Sequence, residues 1–504
     1  MTRCEKRMGR REWALFVCLM CVASAAPGQW PVDSPAAVPQ PSDYGERIRQ
    51  SVPSTDRTER AQPKADSPAN NELPSPRAQN EPAPELNLMQ TIDLAFRSNP
   101  DLRAARERVR IADALIASAR AEFYPKLGVS ENFVETNTPA NVFMYLLNQG
   151  RFSFNRDFNH PGFIDNFLTQ TSIDQPLYAG GRLRSRRQVA ESEQLASKYS
   201  LRAAQNELVF HVAEAYYRLI QARNLAQVRR ATVELVQRQL QVVQTRFKAG
   251  TAVRSDVLSL EVRMAEAREA LITATNQLEL SWAILENVMG ARLPRLNLPS
   301  RLPPAPWTDH IDNVENAVAQ AVRQRPEVGA MNGQHQAAVA NIEAARSGNR
   351  PSVNLFGNYS LWSPNLYNGT NNLFVGLGAS LNLFDGGRTR SAVQAAQARV
   401  AELAAKQERL LLDIELEVRR AYLALSDAQG RFQVTEQAVS QAAESYREIG
   451  VRYEGQAATI TQFIDAQSAL TSAEVRRTTA QADVEISRAN LERAVGRVAE
   501  ILGK

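Results

Sequence analysis

Residues 178–290 recur without insertion or deletion 206 positions further along the chain, so the molecule is assembled from one half-fold used in tandem. Tyr178-Ala179-Gly180-Gly181-Arg182 returns as Phe384-Asp385-Gly386-Gly387-Arg388, and Arg246-Phe247 returns as Arg452-Tyr453. Leu285-Glu286-Asn287-Val288-Met289-Gly290 returns as Leu491-Glu492-Arg493-Ala494-Val495-Gly496. A second register, offset by 226, pairs Asn99-Pro100-Asp101-Leu102 with Arg325-Pro326-Glu327-Val328 and Pro125 with Pro351. The difference between the offsets places a 20-residue excess in the first copy, between Pro125 and Tyr178. A repeat of this length is half a fold rather than a short solenoid unit.

The N-terminus sets the compartment. Residues 1–25 combine a basic start, an apolar stretch from Trp13 to Ala26 and a small-x-small site at Ala23-Ser24-Ala25, the pattern of a secretory signal peptide. All three cysteines (Cys4, Cys18, Cys21) lie inside it, so a mature chain without thiol or disulfide is expected. A lipid anchor at Cys21 requires a small residue before it, where Met20 stands. The formal charge of +5 falls to 54 basic against 52 acidic side chains once that segment is removed, which argues against a polyanion-binding surface. No later apolar run reaches the length of a membrane-spanning helix, which leaves strands as the available way to cross a bilayer.

Residues 26–85 form a Pro-rich leader too poor in large apolar side chains to offset the entropy of ordering. The first repeat then covers 86–290, with a β-hairpin at 126–178 and a long helical hairpin at 182–290. A Pro-rich linker at 291–311 leads to the second repeat, 312–502, with a β-hairpin at 353–384 and a helical hairpin at 388–502. The helical pattern from Arg182 to Phe247 would be roughly 100 Å long at ~1.5 Å per residue. Near its end Val236, Leu240, Val243 and Phe247 step by 4, 3 and 4, as do Ala442, Tyr446, Ile449 and Tyr453, the seam spacing of a coiled coil. Gly-bearing breaks around Gly250 and Gly455 turn each helix back on itself.

The strand-like stretches are Lys126 to Val134, Phe167 to Tyr178, Val353 to Trp362 and Leu373 to Phe384. In the last, Leu373, Val375, Leu377, Ala379, Leu381 and Leu383 alternate with Phe374, Gly376, Gly378, Ser380 and Asn382, a one-sided pattern suited to a tilted membrane strand. Four strands cannot close into a barrel, and the bare edges would each leave peptide groups unpaired in lipid at several kcal/mol apiece. Two copies of the chain give eight strands, filled by side chains, and three give twelve with room for a lumen. The rival reading is a soluble periplasmic coiled-coil scaffold with a small capping sheet.

The duplicated half, the Asn99-Pro100 signal, the Gly-Gly-Arg junctions and the Phe247 and Tyr453 helix ends together resemble the TolC-type outer-membrane efflux protein family over residues 86 to 502. The resemblance implies an α+β membrane protein in which long antiparallel helical hairpins form an α-barrel, and in which four β-strands per protomer contribute to a 12-stranded trimeric transmembrane β-barrel. It also implies a Gram-negative outer-membrane homotrimer reaching into the periplasm, coupled through a periplasmic adaptor to an inner-membrane pump. No catalytic residue, cofactor or metal is implied.

In that family a constriction follows the turn after an aromatic residue and uses two aspartates three residues apart. Counted from Tyr453, those positions hold Gln462 and Asp465, and Asp256 stands at the first-copy position of Gln462. In a trimer Asp465 makes a ring of like charges that favours cations. The family's basic residue five positions past the aromatic is Ala458 here, so the latch it would form is not expected. Gly180-Gly181 and Gly386-Gly387 read as strand-to-helix hinges, since no GxxxxGK[ST] sequence accompanies them. The four histidines (His160, His211, His310, His335) form no metal-binding pattern, and nothing resembles a nucleophile elbow. The excess of the first copy, around Asn137 to Asp165 and rich in Phe, is expected to fold as an extracellular loop over the mouth of the barrel, the rival reading being an ordered plug inside it.

Overall fold

Proline and glycine punctuate the chain into helices and strands whose order repeats. The structure, a computed structural model, describes residues 85–293, 295, 297–299, 302–303, 313–365 and 368–497, so the signal segment and nearly all of the leader lie outside the described residues. Two short helices open the fold, α1 (Leu88–Ser98) and α2 (Pro100–Ala121). Asn99 separates them: its side chain accepts from Leu102 N at 2.8 Å, and Pro100 takes the first helical position, where a missing N–H is harmless. Strand β1 (Lys126–Thr136), helix α3 (Pro139–Asn148) and strand β2 (Ile164–Ala179) follow, then the long helix α4 (Arg182–Lys248) and its return α5 (Arg254–Met289).

The second series is α6 (Val314–Gln324), α7 (Pro326–Arg346), a 3-10 turn at Ser347–Asn349, β3 (Ser352–Ser363), β4 (Thr370–Ser380), α8 (Arg388–Glu454) and α9 (Ile460–Val495). Both long helices are 67 residues and both return helices 36, each starting 206 positions after its counterpart. Gly290 and Gly496 end the return helices in the left-handed conformation that a helix C-cap requires, at φ +73 and +89.

Burial explains how one helix serves so long a span: each stretch of α4 meets different partners. Near the sheet it packs on α2 and α7. Midway, Val212, Tyr216, Tyr217 and Ile220 join Ile92 and Phe96 of α1, Leu285 and Met289 of α5, and Ile486 and Ala489 of α9 in the largest core. Tyr216 donates its hydroxyl to Leu86 O at 2.9 Å, which ties the first described residues to that core. A second core joins Ala317 and Ala321 of α6 to Ile414, Val418 and Ala421 of α8 and Leu491 and Val495 of α9. At the far end Val243, Leu260, Ile460 and Phe463 close the hairpin tips together. Val236 and Val243 are fully buried, as their seam spacing predicts, but Phe247 is 44% exposed, whereas its second-copy counterpart Tyr453 stacks on Phe463.

The strands form one antiparallel sheet in the order β1-β2-β3-β4, with β1 and β4 as its edges. A bulge between Pro176 and Tyr178 bends β2 where Pro176 has no N–H to give. The sequence pattern carries the last strand to Phe384, but β4 ends at Ser380. Its partner β3 begins at Ser352, immediately after Pro351, and Ser380 is the residue opposite Ser352. Nothing remains for Leu381 to pair with.

The segment in excess in the first copy folds as α3 followed by a Phe-rich turn. Phe143 packs edge-on against Phe152 at 5.2 Å and Phe158 at 5.4 Å. Gln149 fastens it to the sheet by donating to Asp165 O at 2.9 Å and Asn166 Oδ1 at 3.0 Å.

Candidate functional site

Residues opposite one another in an antiparallel sheet share a face, so the register sorts the side chains of all four strands. One row reads Leu127, Ile173, Gly357, Val375 and the next on the same face Val129, Thr171, Tyr359, Leu373. On the opposite face Ser130 faces Gln170, Ser360 and Asn372, and Gly128 faces Ser172, Asn358 and Phe374. The sheet is thus mainly apolar on one side, interrupted by the row Glu131, Thr169 and Asn371, and mainly polar on the other. Leu127, Val129, Leu373, Val375 and Leu377 are all exposed in the single chain, an arrangement water does not favour. Among the described residues no helix is long and apolar enough to cross a membrane.

Where strand becomes helix, the expected hinge glycines adopt conformations that a side chain resists. Gly180 and Gly181 stand at φ +62 and +89, and Gly386 and Gly387 at φ +65 and +86. A Cβ on Gly180 would also meet the Arg350 side chain at 2.9 Å and Ser347 O at 3.0 Å. The second junction carries a device absent from the first, where Ala179 occupies the equivalent position. Asp385 Oδ1 accepts from Gly387 N at 3.0 Å, and Oδ2 accepts from Thr389 N at 2.9 Å and from the Thr389 hydroxyl. Those bonds, the Thr389 hydroxyl first, hold its carboxyl below the usual range. An aspartate four residues before a threonine at a helix start was the available signal for this cap.

At the opposite end the hairpin tips meet. Tyr453 stacks on Phe463 with ring centroids 5.3 Å apart, and Tyr446 lies 5.3 Å from the same ring. The Arg246 guanidinium sits 5.6 Å from the centroid of the Tyr453 ring. Burial pushes the Tyr453 hydroxyl above its ordinary pKa, Arg246 opposes that shift and the Asp256 carboxylate reinforces it. The structure therefore brings Tyr453 and Asp256 into one electrostatic neighbourhood and adds Arg246 and Phe463, which spacing alone did not single out.

Gln462 is engaged locally. Its Oε1 accepts from Thr459 N at 2.9 Å while its own N–H donates to Thr459 Oγ1 at 3.3 Å, a reciprocal cap that starts α9. Asp465, three residues on and on the same helix face, is exposed and makes no ion pair among the described residues. The turn before it carries strain. Gly250 takes φ +77 in the first copy, but its counterpart 206 positions on is Gln456, which takes φ +60, while Gly455 remains at φ −80. Gln456 is the one non-glycine residue with positive φ among the described residues.

This architecture has a family. The model of the outer membrane efflux protein family matches residues 91–291 and 317–497. The chain is 25% identical over 420 residues to the outer membrane efflux protein BepC of Brucella suis, covering 80% of this chain and 84% of that one. It is 24% identical over 417 residues to the pyoverdine export outer membrane protein OpmQ of Pseudomonas aeruginosa, covering 82% and 84%. Its fold matches the crystal structure of the outer membrane protein VceC from Vibrio cholerae with a TM-score of 0.67 at 20% identity, over 81% of this chain and 96% of that one. The chain belongs to the outer membrane efflux protein family. It is a protein of the Gram-negative outer membrane that extends into the periplasm.

Proposed function

We propose that three copies of this chain assemble into a passive exit duct, with the sheets completing one another as a twelve-stranded barrel in the outer membrane and the helical hairpins forming a tube through the periplasm. The observation that carries this reading is the sheet itself: a mainly apolar face, a mainly polar face and two bare edges on one four-stranded unit. In hydrocarbon the apolar face meets lipid, the polar face lines a lumen, and β1 of one copy pairs with β4 of the next. A closed ring of this kind has no edge left. The scaffold alternative leaves both edges and the exposed Leu and Val side chains bare to water.

The duct serves an efflux or type I secretion system, coupled to an inner-membrane pump through a periplasmic adaptor, and the chain itself does no chemistry. Its periplasmic entrance is the tip around Tyr453, Asp256, Gln462 and Asp465, where three carboxylates from Asp465 face the bore. The relative named for pyoverdine export supports a small-molecule cargo as one case, with selection made upstream in the pump. Purified protein added to planar bilayers gives discrete conductance steps and heat-modifiable gel mobility on this account. A monomer inert in bilayers overturns it.

A further inference from the structure

At the end of the sheet where Ser352 pairs with Ser380, the chain gathers positive charge that the duct does not use. Both long helices open with Arg-x-Arg, Arg182 and Arg184 on α4 and Arg388 and Arg390 on α8, and neither has an acidic residue in its first turn. A cation at a helix N-terminus opposes the macrodipole. Arg182, Arg184 and Arg390 make no side-chain hydrogen bond or ion pair among the described residues.

The two copies differ in how the surrounding arginines are neutralised. In the first, Glu191 pairs with Arg187 at 2.8 Å and Arg120 at 3.6 Å, and Glu122 pairs with Arg186 at 3.0 Å. In the second, Gln397 stands 206 positions beyond Glu191 and Gly348 stands 226 beyond Glu122, while Ala392 and Val393 stand 206 beyond Arg186 and Arg187, so both carboxylates are gone together with two of the arginines they paired with. Arg346 and Arg350 share the single carboxylate of Glu343 at 2.6 and 2.9 Å, and Asp385 is occupied by Thr389 and the Gly387 amide. What remains is a cleft of about 560 Å³ lined by Arg346, Arg350, Thr389, Arg390, Gln394 and Gln397. Beside it runs the segment between β4 and α8, tied down where Asn382 donates to Gly348 O at 3.4 Å. There Leu383 and Phe384 are 90% and 89% exposed.

We infer that this cleft holds the phosphate headgroup of an anionic phospholipid of the periplasmic leaflet, with Leu381, Leu383 and Phe384 against its acyl chains. The inference rests on the barrel reading, which puts the Ser352 and Ser380 end of the sheet at the headgroup level. Guanidinium groups suit phosphate oxygens in geometry as well as charge, and exposed apolar side chains next to them fit a lipid rather than a free ion.

The test is native mass spectrometry of the full protein in detergent with added phosphatidylglycerol, phosphatidylcholine or inorganic phosphate, for wild type, Arg390→Ala and Arg346→Ala/Arg390→Ala. Conductance and heat-modifiable mobility are measured on the same preparations to exclude misfolding. Wild type should retain phosphatidylglycerol several-fold over phosphatidylcholine, and the double variant should lose that preference. Equal retention of the two lipids, retention unchanged in the double variant, or displacement of the lipid by millimolar phosphate would each overturn the site. If the channels conduct while the lipid result fails, the duct stands and the lipid site falls; if wild type does not conduct, both fall.

Discussion

Arg246 near the end of α4 lies over the ring of Tyr453 near the end of α8, 5.6 Å from its centroid, so a cation–π contact ties one hairpin tip to the other. Such a contact contributes about 0.5–1 kcal/mol when exposed and about 2 when desolvated. Tyr453→Ala removes both this contact and the stack on Phe463, and single-channel recording should show a larger open fraction. Tyr453→Phe keeps the ring and should behave close to wild type. Identical gating in both variants would remove the tip from the account of closure.

The side chains of Gln462 and Asp465 separate capping from selectivity. Asp465→Asn should lower the preference for cations, read as a shift in reversal potential under a salt gradient, without altering stability. Gln462→Ala should cost about 1 kcal/mol through the lost reciprocal cap. Gln462→Glu keeps the cap, since glutamate accepts from the Thr459 amide equally well, and should raise cation preference by doubling the carboxylates. Unchanged reversal potentials in Asp465→Asn and Gln462→Glu would move the constriction elsewhere.

Gln456 holds at φ +60 a conformation its first-copy counterpart assigns to Gly250. The left-handed region costs a non-glycine residue about 1–2 kcal/mol, so Gln456→Gly should raise the thermal midpoint while Gly250→Ala should lower it. The two shifts should be opposite in sign. A fall for Gln456→Gly would mean that its side chain outweighs the backbone strain.

Glu492, at the end of α9, is only 3% exposed, and its Oε2 has no hydrogen-bond partner. Burial pushes its carboxyl up from 4.5 to about 7, with Arg488 opposing. The folded state therefore keeps a proton that the unfolded chain releases. This contribution is complete below about pH 4.5 and is lost as pH rises through about 7. A shift of that size corresponds to ~3 kcal/mol. Glu492→Gln should therefore be more stable than wild type at pH 8 and nearly equal to it at pH 4.5, measured as the difference in denaturant midpoints. A constant difference across that range would show that the Glu492 carboxyl titrates alike in the folded and the unfolded chain.

Much of the architecture is legible in the chain because the repeat fixes it. The 206 offset predicts two long helices and two returns, and proline spacing places the breaks at Pro100 and Pro326. Period-two alternation locates β4 but overruns its end, because alternation reports which side chains share a face and not where the partner strand starts. The tip residues are harder. Arg246 and Phe463 meet Tyr453 only through the packing of two hairpins, and nothing in their local sequence marks that meeting. Gln456 is hidden for a different reason: the nearby Gly455 draws the turn assignment to itself, while the left-handed position falls one residue later. Asp385 was within reach of sequence reasoning, as a carboxylate spaced to cap Thr389.

The central claim is that the bare edges β1 and β4 are completed by neighbouring copies, and cysteine cross-linking tests it most directly. The native cysteines all lie within residues 1–25, so a pair with one member at Val129 on β1 and the other at Leu373, Val375 or Leu377 on β4 introduces the only strand thiols. After oxidation in isolated outer membranes, at least one pairing should give covalent dimers and trimers on a non-reducing gel, with no larger species. Monomers alone, or monomers closed by an intrachain disulfide between β1 and β4, would contradict the account.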